Sequence, residues 1–84
     1  MMQIFAKNLR NKQVMSSDGM TIGILSNMVI DVSTGNIIDL VIKPDMGLDK
    51  EKFKVDDDFV LISFDAVRAI KDYIVVDKKA SMAS

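Results

Sequence analysis

Few side chains in this sequence are of a kind that does covalent or acid–base chemistry. The chain has no His and no Cys. A general base near neutral pH would therefore have to be a strongly shifted carboxylate or lysine, and thiolate nucleophiles and thiolate metal sites are excluded. The densest acidic cluster is Asp56-Asp57-Asp58. Consecutive side chains on an extended backbone point to opposite sides, and the alternating ligands and distal Glu of a calcium loop are missing, so the run reads as a solvated acidic loop. No catalytic, cofactor or metal residues are expected, and no cofactor. Lys7, Arg10 and Lys12 all precede the first acid, Asp18. This basic segment is where an RNA or ribosome contact would be sought, but a formal net charge of -1 supplies no overall field toward nucleic acid. It reads first as a solvated cationic edge.

The elements that would position these residues follow from length and pattern. With 84 residues there is room for one domain, and a chain this short buries only about 60% of its unfolded surface. Hydrophobic residues make up 49% of the sequence, enough for an efficient core or for a surface that a partner covers. No apolar run approaches the ~20 residues that span a bilayer, and Gln3, Lys7 and Asn8 interrupt the place of a signal peptide's apolar stretch. A cytoplasmic protein without membrane insertion is expected, and the lack of cysteine fits a reducing compartment.

The chain is organised around Met20 to Pro44, two apolar, β-branched runs flanking Ser33-Thr34-Gly35-Asn36. This is a hairpin pattern, with Gly35 able to take positive φ just before the return strand. Residues 1–12 form a lead-in whose Phe5 and Leu9 are expected to dock on the domain, and Asn11 suits a left-handed turn. Residues 13–77 form the domain, and residues 78–84 are expected to be a disordered tail. Val14 to Ser16 is a brief strand closed by the Asp18-Gly19 turn. From Thr21 to Val32 the even positions Ile22, Ile24, Met28, Ile30 and Val32 read as one buried face, with Gly23 and Ser26-Asn27 marking a bulge or bend. Ile38, Leu40 and Ile42 line one face of the return strand. Asp45 to Asp58 is the polar variable loop. Phe59 to Ser63 reads as a buried strand, Ser63 to Ala66 as a helical turn, and Val67 to Ile70 and Tyr73 to Asp77 as a hairpin across Lys71-Asp72. The fold class is all-β, a small six-stranded barrel with one short helical turn.

The order Ser17-Asp18-Gly19, Ile22-Gly23, Asp31 with Thr34-Gly35 and Ile37, Leu40 to Pro44, and Val67 to Val76 resembles the PRC-barrel family. That family is named for a domain shared by the photosynthetic reaction-centre H subunit and the ribosome maturation factor RimM. Asn11 stands where many members have Gly, and Ser63 where many have Pro; both keep turn chemistry. The resemblance implies no enzymatic residues. It implies a protein-interaction module, similar to single-domain archaeal cell-division adaptors of the CdpB type. Such an adaptor links the SepF/FtsZ machinery to another division protein, so the expected partners are a SepF-like protein, a membrane division protein or a PRC-barrel paralogue at the division site. The alternative is ribosome maturation or RNA processing, although RimM carries a second barrel domain that this chain is too short to contain.

A fold names no chemistry, so the partner surface must come from residues. Unpaired strand edges invite a second copy, and a homodimer is expected. Val29, Val41, Tyr73 and Val75 are left over once each strand has given one face to the core. They either fill the second side of a closed barrel or form an exposed patch that recruits the partner. Met15, Met20, Met28 and Met46 either fill core gaps or adapt that patch.

Overall fold

A computed structural model of the chain describes residues 11–78. They form one seven-stranded sheet in the order β4-β5-β3-β2-β1-β7-β6. The strands are β1 (Gln13–Ser16), β2 (Thr21–Ile30), β3 (Ile37–Pro44), β4 (Lys54–Asp56), β5 (Phe59–Ser63), β6 (Val67–Ile70) and β7 (Tyr73–Val76). Among the described residues the strand pairings are antiparallel except that of β1 with β7, which is parallel. The sheet curls without closing, and β4 and β6 are its edges. Among the described residues no helix is long and apolar enough to cross a membrane.

The β2–β3 hairpin is the spine. Its loop forms because Asp31 N–H donates to Asn36 O, Gly35 takes φ 77°, and the Asp31 carboxylate accepts from the Ser33 N–H and hydroxyl. The strand therefore stops at Ile30 rather than running to Val32, and Val32 is fully exposed. The expected buried face of even positions is also corrected. The register shifts opposite Val14/Met15 and again between Leu25 and Asn27. Each shift moves one residue out of the two-residue alternation, so Ile22 and Leu25 are buried while Ile24 is 49% exposed. Gly23 and Ser26 mark these irregularities, as their types suggested.

Six strands are expected from the sequence and seven are found. The extra one, β4, lies inside the stretch read as a variable loop. Its three residues are all exposed, so no buried face announces it. A second short turn, the 3-10 helix Lys50–Lys52, precedes it, N-capped by Asp49. The helical turn at Phe64–Ala66 is where Ser63 was expected to start it, the Ser63 hydroxyl accepting from Asp65 N–H. Asn11 takes φ 71°, the left-handed turn its type suits.

The core is one cluster centred on Val14, Ile22, Leu25, Leu40, Ile42 and Ile62, extended by Val60, Ile74, Val76, Ala66 and Phe53. At the far end, Asp77 N–H donates to Ala66 O and Lys78 N–H to the Ser17 hydroxyl. The Lys78 ammonium lies 2.8 Å from the Asp18 carboxylate. Lys78 is thus tied to the β1–β2 turn rather than part of a disordered tail; the rest of that expected tail lies outside the described residues.

Candidate interaction surface

Residues paired across neighbouring strands share a face of the sheet. Four outward rows follow. Lys43, Ile24, Gln13 and Tyr73 form one, and Thr21, Met15, Val75 and Ala69 the next. Beyond the Ser26 irregularity come Lys54, Leu61, Val41 and Asn27, then Ser63, Asp39 and Val29. The four residues singled out in the sequence all face outward, but they fall into two groups. Tyr73 and Val75 sit with Ile24 and Met15, whereas Val29 and Val41 sit with Leu61 on the other arm of the bent sheet.

Tyr73 is 38% exposed and Val29 41%, while Val41 and Val75 are half-buried by their neighbours. None of the four belongs to the core cluster. Ile24 was missed because its even position suggested burial; a reading that let the bulge at Gly23 shift the phase would have found it. A groove of about 350 Å³ runs beside Ile24, between Gln13, Thr21, Lys43 and Pro44, with Asp45 and the fully exposed Met46 at its rim. The four methionines divide: Met20 and Met28 pack against the core, whereas Met15 is half-buried on the outward face and Met46 borders the groove.

The charged groups serve structure. Asp18 is held down to about 2 by the Lys78 ammonium, then by the Ser16 hydroxyl that donates to it. Asp31 lies below the usual carboxylate range because the Ser33 hydroxyl and N–H donate to it. Arg68 pairs with Asp77 at 3.1 Å. Asp56-Asp57-Asp58 forms the β4–β5 corner, with Asp57 at φ 54°, and among the described residues no group of three acidic side chains could hold a metal ion. Of the basic segment, Lys12 is half-buried and its carbonyl accepts from Leu25 N–H. Lys7 and Arg10, and the expected docking of Phe5 and Leu9, lie outside the described residues.

A strongly bent β2, its hairpin with β3, and a parallel β1–β7 pair completing a half-open barrel are the arrangement on which the comparisons bear. The family model described as PRC-barrel domain matches residues 1–82. The chain belongs to the PRC-barrel family. No curated protein matches it. Among solved structures it is similar to one from Pseudomonas aeruginosa assigned to the 16S ribosomal RNA processing protein RimM. The TM-score is 0.62 at 19% identity, over 88% of this chain and 43% of that one. This chain spans less than half of that protein, and the likeness is one of fold. The outward side of the sheet carries apolar side chains around a shallow groove.

Proposed function

We propose that this PRC barrel is a non-catalytic docking module that engages a protein partner through its outward face around Ile24, Tyr73, Met15 and Val75. The observation that carries the reading is the row Lys43, Ile24, Gln13 and Tyr73, an outward strip with two large exposed apolar side chains lying along a groove. Such strips mark contact surfaces more often than isolated exposed residues do. The partner is a protein of the division machinery, a SepF-like protein or a membrane division protein, with a second copy or a PRC-barrel paralogue using the same face. Family resemblance supports that pathway, and the face supports the mode of binding. A role in ribosome maturation is favoured by one observation, the likeness to the RimM structure, and it would draw on Lys7, Arg10 and Lys12.

The test is affinity capture from native lysate with wild type, Tyr73→Ala and Ile24→Asp, the fold of each checked by circular dichroism. Recovery of SepF-like or FtsZ-like proteins by wild type, lost in both folded variants, supports the reading. Recovery of small-subunit ribosomal proteins, with binding that falls steeply as salt rises and needs Lys7 and Arg10, overturns it in favour of the ribosomal one.

A further inference from the structure

Two neighbouring outward rows of the sheet are unlike each other, and they match. The first runs Lys43, Ile24, Gln13 and Tyr73, the second Thr21, Met15 and Val75. Asp45 adjoins the second row at its β3 end, where its N–H donates to Ile22 O at 2.9 Å, and it lines the groove together with Thr21 and Lys43. Each row thus passes from a charge at the β3 end to an apolar side chain on β7, and the two charges are of opposite sign. Lys43 and Asp45 stand two residues apart, about 7 Å of strand. Among the described residues neither has an ion-pair partner. The Asp45 carboxylate accepts from the Gly47 N–H at 3.1 Å, which leaves its charge unpaired.

The charge balance of this face bears on what covers it. Beyond Lys43 and Pro44 lies a second hollow of about 470 Å³, to which Lys50, Asp58 and Phe59 also contribute. The charged side chains of the two hollows are Lys43 and Lys50 against Asp45 and Asp58, two of each sign. A strongly acidic or strongly basic partner meets as much repulsion here as attraction. A surface made of the same residues does not, provided that each positive group is set opposite a negative one. An isologous contact brings a patch against itself about a two-fold axis. Laid along the first row, that axis would oppose Lys43 to Lys43. Laid across the strands midway between the rows, it sets Lys43 of each copy opposite Asp45 of the other, Ile24 opposite Thr21 and Tyr73 opposite Val75.

We propose that the occupant of this face is a second copy of the chain, held about that axis with the Lys43–Asp45 pair exchanged twice. This names the partner of the docking face described above and rests on that reading. An isologous contact uses up its own surface, so assembly through it stops at a dimer and does not continue into a filament. A different protein that binds the same strip must displace the second copy.

The test is sedimentation velocity on the full chain at low ionic strength, with the fold of each variant checked by circular dichroism. Wild type should be a dimer that weakens as salt rises. Lys43→Asp and Asp45→Lys should each weaken it about tenfold or more, since each sets like charges face to face. Lys43→Asp and Asp45→Lys together in one chain exchange the signs and should restore the dimer to within a few-fold of wild type. If the doubly substituted chain, still folded, stays as weak as the single variants, the contact is not isologous and the proposal fails. Asp45→Lys gives up the bond from the Gly47 N–H, so a measurement on the unaltered chain stands beside it. A zero-length carbodiimide, which joins an ammonium to a carboxylate in contact with it, should give a covalent dimer whose linked peptides join Lys43 of one copy to Asp45 of the other. Dimers linked elsewhere, with Lys43 and Asp45 free, overturn the proposal. Wild type monomeric at every concentration overturns it as well, whereas the docking reading stands or falls separately, on capture of a protein from lysate through Ile24 and Tyr73.

Discussion

Single residues set two testable properties of this domain. Asp18 is depressed to about 2, well below the ordinary carboxylate range, chiefly by Lys78 and then by Ser16. A carboxylate whose pKa is lower folded than unfolded stabilises the fold fully above its unfolded pKa, and that contribution is lost as pH falls through the folded value. Asp18→Asn should therefore melt at a lower temperature than wild type at pH 7, and the gap should close between about pH 4 and pH 2, followed by thermal melts across that range. Gly23 is the second case. A Cβ there would lie 2.1 Å from the backbone oxygen of Lys43, which no rotamer change relieves. Gly23→Ala should cost about 3 kcal/mol, the upper range for forced overpacking, measured by urea unfolding. At this scale the sequence was readable where a residue acts through its own backbone. Asn11, Gly35 and Ser63 all do what their types suggest. It was not readable where a partner comes from far along the chain, as with Lys78 on Asp18.

Elements were legible in proportion to how strongly one face of each is buried. The β2–β3 hairpin and β5 carry long apolar runs and fall where expected, within the two residues that loop chemistry at Asp31 removes. The phase of β2 was not legible, because two register shifts break the alternation and a sequence shows the candidate residues but not which way each shift goes. β4 was invisible, since Lys54, Val55 and Asp56 are all exposed and make a strand only by pairing with Leu61, Val60 and Phe59. Its existence rests on a tight corner, in which Asp57 occupies the left-handed region at φ 54°. Asp tolerates that region, whereas a β-branched residue does not. Asp57→Val should thus cost roughly 1–2 kcal/mol and raise amide exchange in Lys54–Asp56 while leaving β2 and β3 protected. Asp57→Gly should match or exceed wild type. The same contrast separates core from surface: Leu25→Ala should cost about 2–5 kcal/mol, whereas Tyr73→Ala should cost far less, both read from urea midpoints.

For the molecule as a whole, the question is which boundary of a curled, unclosed sheet meets another chain. The sequence points to edges, since an open sheet has two. Both edges here are defended. β4 is three residues long, fully exposed and flanked by Lys54 and Asp56, the short charged edge that discourages strand addition. On β6, Arg68 is held by Asp77 and by the Asp65 carbonyl, so its charged side chain stands beside that edge. On the outward face the stretch between Ile24 and Tyr73 carries only Gln13, and the one charge in that row, Lys43, stands at its far end beside Ile24. Association through the face rather than an edge makes a sharp difference in mutants. Val55→Pro removes an edge N–H and should leave the sedimentation coefficient unchanged at every concentration. Ile24→Asp places a charge in the centre of the strip and should hold the protein monomeric where wild type self-associates, with the melting temperature nearly preserved. The opposite pattern, Val55→Pro dissociating the assembly and Ile24→Asp sparing it, would return the interface to the sheet edge. It would leave Ile24 and Tyr73 as ordinary exposed apolar residues, of which any small domain has several.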